Sequence, residues 1–111
     1  MERVVTITSF EVPDGREEEA LATWEAFAAY FHRQPGYLST TLHQALGDEA
    51  RFHLVSVSEW ESSEHFAASL RNPELTEIAE RAPADIRSYP GAYRVMPLSD
   101  TCEVIASGRE P

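Results

Sequence analysis

Histidines are the side chains of this sequence best suited to acid–base chemistry near neutral pH, because imidazole changes charge there. The chain has four of them: His32, His43, His53 and His65. His65 follows Ser62 and Ser63, either of which can cap a helix, so it is predicted in a helical first turn. A helix N-terminus favours the neutral imidazole, which would let His65 act as a base. The alternative is an ordinary exposed helix residue.

His43 and His53 form a second candidate site. Residues 37–46 and 51–60 read as strands, and the polar segment 47–50 suits a hairpin connection. A register that places residue i opposite residue 96 − i sets the two histidines across from each other. The same register pairs Leu42 with Leu54 and Thr40 with Ser56. Two facing imidazoles would share a proton or bind a metal ion weakly, and the alternative is a pair of solvated or dimer-facing histidines.

Tyr93 and Arg94 lie on the last predicted strand, where alternate side chains face the helices. One of the two is therefore expected between sheet and helices, where Arg94 would stabilise an anionic substrate. A surface salt bridge is the alternative for Arg94. Three aromatic residues recur at helical spacing and predict core packing, with one of them as the rear wall of a pocket. They are Trp24, Phe27 and Phe31.

The elements that must position these residues follow a clear order. Residues 4–12 alternate apolar and small polar side chains and predict a strand. Asp14 is expected to cap a helix that runs to Arg33. Ser62 or Ser63 starts a second helix, Asn72-Pro73 starts a third, and residues 86–97 form a last strand that Pro90-Gly91 bends or delays. This order predicts an α+β, ferredoxin-like split βαββαβ fold, a four-stranded antiparallel sheet with helices on one face.

The other face of that sheet carries an apolar patch. Its members are Val5, Ile7, Val55 and Val57. A small monomer should not leave such a patch in water, so a homodimer is expected, with sheets packed into a dimeric α+β barrel. Residues 1–97 then form the single domain, and residues 98–111 are a tail that adds an edge strand or a dimer arm.

Composition excludes several classes of partner. Among 111 residues, 19 are acidic and 9 basic, and the net charge of −10 opposes binding to nucleic acid or anionic membranes. No apolar stretch approaches the roughly 18 residues of a membrane span, and the N-terminus is unlike a secretion signal, so a cytoplasmic location is expected. The lone Cys102 makes neither an internal disulfide nor a thiolate metal site. Glycine-rich phosphate loops and HExxH spacing are absent.

Two segments carry a family resemblance. Residues 33–43, with a Gln-Pro-Gly-aromatic turn, and residues 52–62, with a Trp-Glu-Ser step, resemble the antibiotic biosynthesis monooxygenase domain. The resemblance covers about residues 3–97. It implies a dimeric α+β barrel that, in many members, oxygenates an electron-rich aromatic substrate with molecular oxygen and without metal or flavin.

The resemblance also implies roles for single residues. Trp60 matches the tryptophan that lines the family's pocket. Ser56 stands where the polyketide anthrone oxygenases have an asparagine, and it still offers one hydrogen-bond donor. Phe66 replaces a tyrosine and becomes a stacking wall, and Ala79 stands near the position of an arginine. Leu70 lies where heme-degrading relatives have a histidine, which disfavours a heme role.

These observations predict a cofactor-independent monooxygenase that oxidises an anthrone- or quinol-like polycyclic aromatic in polyketide or antibiotic biosynthesis. The expected catalytic residues are Trp60, Ser56, His65 and Arg94. The expected substrate-binding residues are Phe66, Trp24, Phe27, Leu54, Leu70 and Tyr93. The alternatives are a non-oxidative polyketide cyclase or isomerase and a noncatalytic dimer that binds a small ligand.

Overall fold

A computed structural model describes residues 2–97. The elements are β1 (Val4–Glu11), α1 (Glu17–His32), β2 (Tyr37–Gln44), β3 (Leu54–Trp60), α2 (Ser63–Ser69), α3 (Pro73–Arg81) and β4 (Arg87–Tyr93). The tail that the sequence predicts as an edge strand or dimer arm lies outside the described residues. Within residues 2–97, no helix has both the length and the hydrophobicity needed to cross a bilayer.

The four strands form one antiparallel sheet in the order β2-β3-β1-β4. Side chains from all three helices share a single cavity with one face of this sheet, so the helices cover that face. The predicted α+β, ferredoxin-like split βαββαβ fold is confirmed. The central strands β1 and β3 supply the floor on which the candidate site is built.

The predicted register of β2 and β3 is wrong by two residues. Leu42 lies opposite Ser56 and His43 opposite Val55, so His43 and His53 do not face each other. β3 begins only at Leu54, and the backbone N–H of the preceding His53 donates to Phe10 O of β1 at 3.0 Å. A shift of two leaves every side chain on its predicted face, so the apolar pattern alone could not detect it.

The start of α1 also differs from the prediction. Asp14 does not cap the helix; Arg16 occupies the N-cap position and makes no capping hydrogen bond through its side chain. Its guanidinium instead reaches across to Asp85, with Nε 3.1 Å from Oδ2. Since the acidic side chains Glu17, Glu18 and Glu19 fill the first turn, their charge still favours the helix at this end.

The caps of the two later helices agree with the sequence. Ser62 Oγ accepts from the backbone N–H of His65 at 3.2 Å and begins α2. Asn72 Oδ1 accepts from the backbone N–H of Glu74 at 2.9 Å and begins α3, with Pro73 as its first residue. These local signals are strong because each cap satisfies backbone donors that have no partner within the helix.

The last strand is shorter than predicted and passes straight through Pro90 and Gly91. Pro90 lies opposite Thr8 of β1 within the continuous register of β4. Proline has no N–H to give to a ladder, and sheets tolerate it on edge strands where that position points away from the neighbouring strand. β4 is such an edge strand, since β1 is its one neighbour in the order of the sheet.

The core lies at the end of the sheet near the start of α1. Phe10, Ala20, Leu54 and Ile86 are buried there, and Trp24 packs against them. On the face without helices, Val5, Ile7, Val55 and Val57 are half-buried, and Ile7 lies directly opposite Val57. The apolar patch of the sequence interpretation therefore exists as a surface, and the homodimer stays a prediction.

Candidate functional site

A cavity of about 310 Å³ separates the covered face of the sheet from the helices. Aromatic and aliphatic side chains of the helices and of β3 form its walls, among them Trp24, Phe27, Phe31, Trp60, Phe66 and Leu70. Hydroxyl-bearing side chains of the sheet form its floor, namely Thr6, Thr8, Thr40, Ser56, Ser58 and Ser88. The cavity therefore has apolar walls and a floor that offers hydrogen bonds without charge.

Trp60 closes one end of the cavity, at the last position of β3. Its side chain is 1% exposed, and its ring meets Tyr37 edge-on at a centroid distance of 5.8 Å. Phe66 lies against the same ring at 5.5 Å. The indole Nε1 is buried and has no hydrogen-bond acceptor among the described residues. A buried donor without a partner is rare in proteins and draws attention to this end of the cavity.

Ser56 is tied to α1 by a tryptophan. Trp24 Nε1 donates to Ser56 Oγ at 3.0 Å, and Ser56 is 8% exposed on the floor of the cavity. A hydroxyl has one donor and two acceptor positions. Trp24 occupies one acceptor position, and the hydrogen bonds of residues 2–97 give the Ser56 proton no protein acceptor. That proton remains free to bond an occupant of the cavity.

A second hydrogen-bonded group crosses from β2 to β3. The Tyr37 hydroxyl donates to Thr40 Oγ1 at 2.7 Å, and Thr40 Oγ1 lies 2.8 Å from Ser58 Oγ. Thr40 and Ser58 are opposite each other in the strand register, and both line the cavity. The sequence interpretation missed this group. The sequence pattern that could have revealed this group is the alternation of Ser56, Ser58 and Trp60, which places small hydroxyl side chains on the same face of the strand as the tryptophan.

Six of the residues that the sequence nominates lie around this cavity. They are Ser56, Trp60, Phe66, Trp24, Phe27 and Leu70. Leu54 is not among the lining residues and is buried in the core cluster. Tyr93 and Arg94 do not enter the cavity either. Tyr93 lies opposite Val5, which places it on the face without helices.

Arg94 follows the end of β4 and lies at the surface. Its guanidinium is 3.9 Å from Glu2 Oε1, and 68% of its side chain is exposed. The surface salt bridge is therefore the correct reading of this residue. Arg94, Tyr93 and Phe66 line an open depression of about 490 Å³ on the outside of the fold. Phe66 borders both spaces, so its ring stands between the cavity and this depression.

His65 is held in place by its neighbours at the start of α2. Its Nδ1 lies 2.7 Å from Ser62 Oγ, and its Nε2 lies 3.9 Å from Glu61. The ring packs over Gly36, where an added Cβ would lie 2.3 Å from His65 Cγ. His65 is not among the residues that line the cavity. The geometry thus gives it a structural role in the turn between α1 and β2.

The other nominated histidines bond elsewhere. His43 Nδ1 lies 3.2 Å from Val55 O, and His53 Nε2 lies 3.3 Å from Gln44 Nε2. Across residues 2–97, no three His, Cys, Asp or Glu side chains converge in a way that could hold a metal ion. In the described part of the chain, the cavity lining also contains neither a histidine nor a charged side chain.

The described side chains whose pKa values are shifted lie outside the cavity. Burial raises the pKa of Tyr30, which is fully buried and donates its hydroxyl proton to Ser69 O. A hydrogen bond from Arg51 lowers the pKa of Glu11 at the surface. The cavity lining therefore offers aromatic surface and neutral hydrogen-bonding groups to a ligand.

Comparisons with known proteins agree with this architecture. The sequence matches the family model of the antibiotic biosynthesis monooxygenases over residues 3–81, which confirms the resemblance seen in residues 33–43 and 52–62. A solved structure of a candidate monooxygenase from Shewanella loihica PV-4 is 31% identical, with a TM-score of 0.73 over 87% of this chain and 97% of that chain. No curated protein matches the sequence.

Two further solved structures share the fold at lower identity. SnoaB, a cofactor-independent oxygenase from Streptomyces nogalater, is 23% identical, with a TM-score of 0.74 over 88% of this chain and 97% of that chain. A candidate antibiotic biosynthesis monooxygenase from Bordetella bronchiseptica is 20% identical, with a TM-score of 0.68 over 89% and 100% of the two chains. At these identities the likeness concerns the fold.

Proposed function

The chain belongs to the antibiotic biosynthesis monooxygenase family, and from that premise we propose that it is a cofactor-independent monooxygenase of a flat, uncharged polycyclic aromatic substrate. The substrate class is an anthrone or a quinol, and molecular oxygen is the second substrate. A role in the biosynthesis of a polyketide or antibiotic is part of the same proposal.

The observation that carries the proposal is the cavity beside Trp60. Its volume of about 310 Å³ is at the lower end of the range for small-molecule sites, and its walls present several aromatic faces. Flat rings gain from offset and edge-to-face contacts with such walls. Since no charged side chain among the described residues lines the cavity, a carboxylate or ammonium on the ligand would be desolvated without a partner.

The chemistry needs little from the protein beyond position and hydrogen bonds. An anthrone loses one proton to give an anion delocalised over its rings. The anion transfers one electron to dioxygen, the two radicals combine to a peroxide, and loss of water leaves a quinone. Ser56, with its oxygen bonded to Trp24 and its proton free, supports the substrate oxygen on which the negative charge develops.

The absence of a titratable side chain from the described cavity lining has a further consequence. A cyclase or isomerase that works by general acid–base catalysis requires such a group within hydrogen-bond reach of the substrate. The oxidative reaction can release its proton to water, because the substrate anion itself is stabilised. The cavity therefore favours the oxygenase over the cyclase alternative.

Oxygen uptake tests the proposal directly. Purified protein treated with a chelator is expected to consume one dioxygen per anthrone oxidised, and Ser56→Ala is expected to lower kcat by about tenfold or more. Ser9→Ala is the matched control, because Ser9 lies on the other face of the sheet, opposite Val55. Binding of anthrone without oxygen uptake would contradict the oxygenase, and product formation without oxygen would indicate the cyclase.

A homodimer in the cytoplasm completes the proposal. The half-buried apolar surface formed by Val5, Ile7, Val55 and Val57 supports it, because apolar patches of this kind usually meet a partner. A symmetric dimer would place the same patch on both sides of the interface. Val57→Glu is expected to shift sedimentation from dimer to monomer, and a dimer that persists in this variant would contradict the assigned interface.

A further inference from the structure

We propose that the hydroxyls of Tyr37, Thr40 and Ser58 form a donor chain that gives one hydrogen bond to a substrate oxygen, as a second anion-stabilising contact besides Ser56. The inference rests on the proposed function only in treating the cavity as the substrate site. It assigns Thr40 and Ser58 to substrate binding and makes Tyr37 a positioning residue that acts through them.

Counting protons shows why the chain must offer a donor. Three hydroxyls carry three protons, and two hydrogen bonds join them, from Tyr37 to Thr40 and between Thr40 and Ser58. The Tyr37 proton is used on Thr40. Of the two remaining protons, one forms the bond between Thr40 and Ser58, and the other stays free on one member of that pair. Both members line the cavity, so the free proton is available there whichever of them donates to the other.

Aromatic contacts hold the Tyr37 end of this donor chain in place. The Tyr37 ring stands edge-on to the buried ring of Trp60 at 5.8 Å and to His32 at 5.3 Å. Its phenol therefore approaches Thr40 from a fixed direction. Hydrogen bonds in series polarise one another, so a donor backed by two others binds a developing negative charge more strongly than a lone hydroxyl would.

The position of the donor chain beside Ser56 suits a ligand with oxygen atoms on more than one ring. Ser56 and Ser58 point to the same face of β3, and residues two apart on a strand are separated by about 7 Å. Each of the two hydroxyls is hydrogen-bonded to a neighbouring side chain, Ser56 to Trp24 and Ser58 to Thr40. The floor thus presents two neutral donors under the aromatic walls, which fits a fused-ring ketone or phenol that becomes an anion during the reaction.

The pKa of bound 2-naphthol tests the proposal without requiring turnover. Neutral donors bind the naphtholate more strongly than the naphthol, so removing a donor is expected to raise the bound pKa, which is followed by the absorbance of the anion. The double variant Thr40→Val/Ser58→Ala removes the free proton and is expected to raise the bound pKa by about one unit, or tenfold in the ionisation constant. Tyr37→Phe is expected to raise it by about threefold, since one polarising bond is lost.

Two further variants separate this role from a structural one. Thr40→Ser keeps the hydroxyl and is expected to retain the wild-type bound pKa. Thr41→Val makes the same kind of change one residue along, on the other face of β2 opposite Val57, and is expected to have no effect. If the melting curve shows that the double variant does not fold, the bound pKa of 2-naphthol in Tyr37→Phe is compared with that in Thr40→Ser, and a higher value in Tyr37→Phe supports the donor chain.

Equal bound pKa values in the wild type, Tyr37→Phe and the double variant would overturn the donor chain, as would failure of the wild type to bind 2-naphthol. The expected differences in bound pKa between the wild type and its variants, in a protein that consumes no oxygen with anthrone, would overturn the proposed function alone and leave the donor chain in place. The two proposals therefore fail through different measurements.

Discussion

Tyr30→Phe removes a single buried hydroxyl that connects α1 with the end of α2. Tyr30 is 0% exposed, and its hydroxyl donates to the backbone oxygen of Ser69, which is itself buried. The phenylalanine ring would keep the edge contact with Phe31 at 5.1 Å, so little packing is lost. The carbonyl of Ser69 would lose its tyrosine donor inside the protein. Such a loss costs about 2 kcal/mol, which lowers the melting temperature of a domain this size by about 8–16 °C.

Urea and thermal unfolding, followed by circular dichroism, measure this loss. The urea midpoint is expected to fall with an unchanged m value, because the surface exposed on unfolding stays the same. Tyr89→Phe is the matched control, since Tyr89 is 40% exposed and its hydroxyl bonds Glu11 at the surface. Its stability should stay within about 0.5 kcal/mol of the wild type. A Tyr30→Phe protein as stable as Tyr89→Phe would refute the reasoning.

Three other outcomes are expected. Gly36→Ala should cost about 2 kcal/mol or more in urea unfolding, because Gly36 has a φ of +87° and its new Cβ would meet His65, while Gly47→Ala, with nothing within 4 Å, should be near neutral. Equal losses in the two glycine variants would contradict this. Since burial raises the pKa of Tyr30 above the usual 10.0, its unfolded form ionises first. The stability that this shift confers is present below about pH 10 and is lost as the pH rises towards the folded pKa. Tyr30→Phe should therefore flatten the alkaline limb of the urea midpoint against pH, and an unchanged limb would count against it. Finally, 2-naphthoate should bind at least about tenfold more weakly than 2-naphthol at neutral pH, because its carboxylate meets no cationic side chain in the described cavity. Equal affinities of the two ligands, measured by calorimetry, would contradict this prediction.

Local signals in the sequence were enough to predict the order of the elements and the family. Ser62 and Asn72 cap their helices as expected, because a cap depends only on residues within one turn. Helical spacing predicts that Trp24, Phe27 and Phe31 share one face of α1, and all three line the cavity, where the sequence predicted core packing with one of them as the rear wall. Trp60 was placed through the family resemblance, and the geometry puts it at the cavity wall.

Long-range geometry could not be predicted in the same way. The register of β2 against β3 depends on the length and conformation of the loop that joins the two strands. A shift of the register by two residues preserves the apolar pattern, so the pattern does not reveal it. Asp14 does not take its expected role, since α1 begins two residues later with Arg16 at the N-cap position, where the Arg16 guanidinium pairs with the distant Asp85. Alternation predicts one of Tyr93 and Arg94 in the cavity, and neither enters it: Tyr93 lies opposite Val5 on the face without helices, and Arg94 follows the last paired residue of β4, where alternation no longer applies.

Pro90 in β4 has a consequence for the behaviour of this protein at high concentration. An outer strand that offers a full row of free amides can recruit a strand from another molecule and seed fibrils. Pro90, the middle residue of β4, has no amide proton, and proline on an edge strand is one of the features that oppose such pairing. The edge thereby resists templated growth, and Pro90→Thr would be expected to shorten the lag before thioflavin-positive aggregates form under agitation.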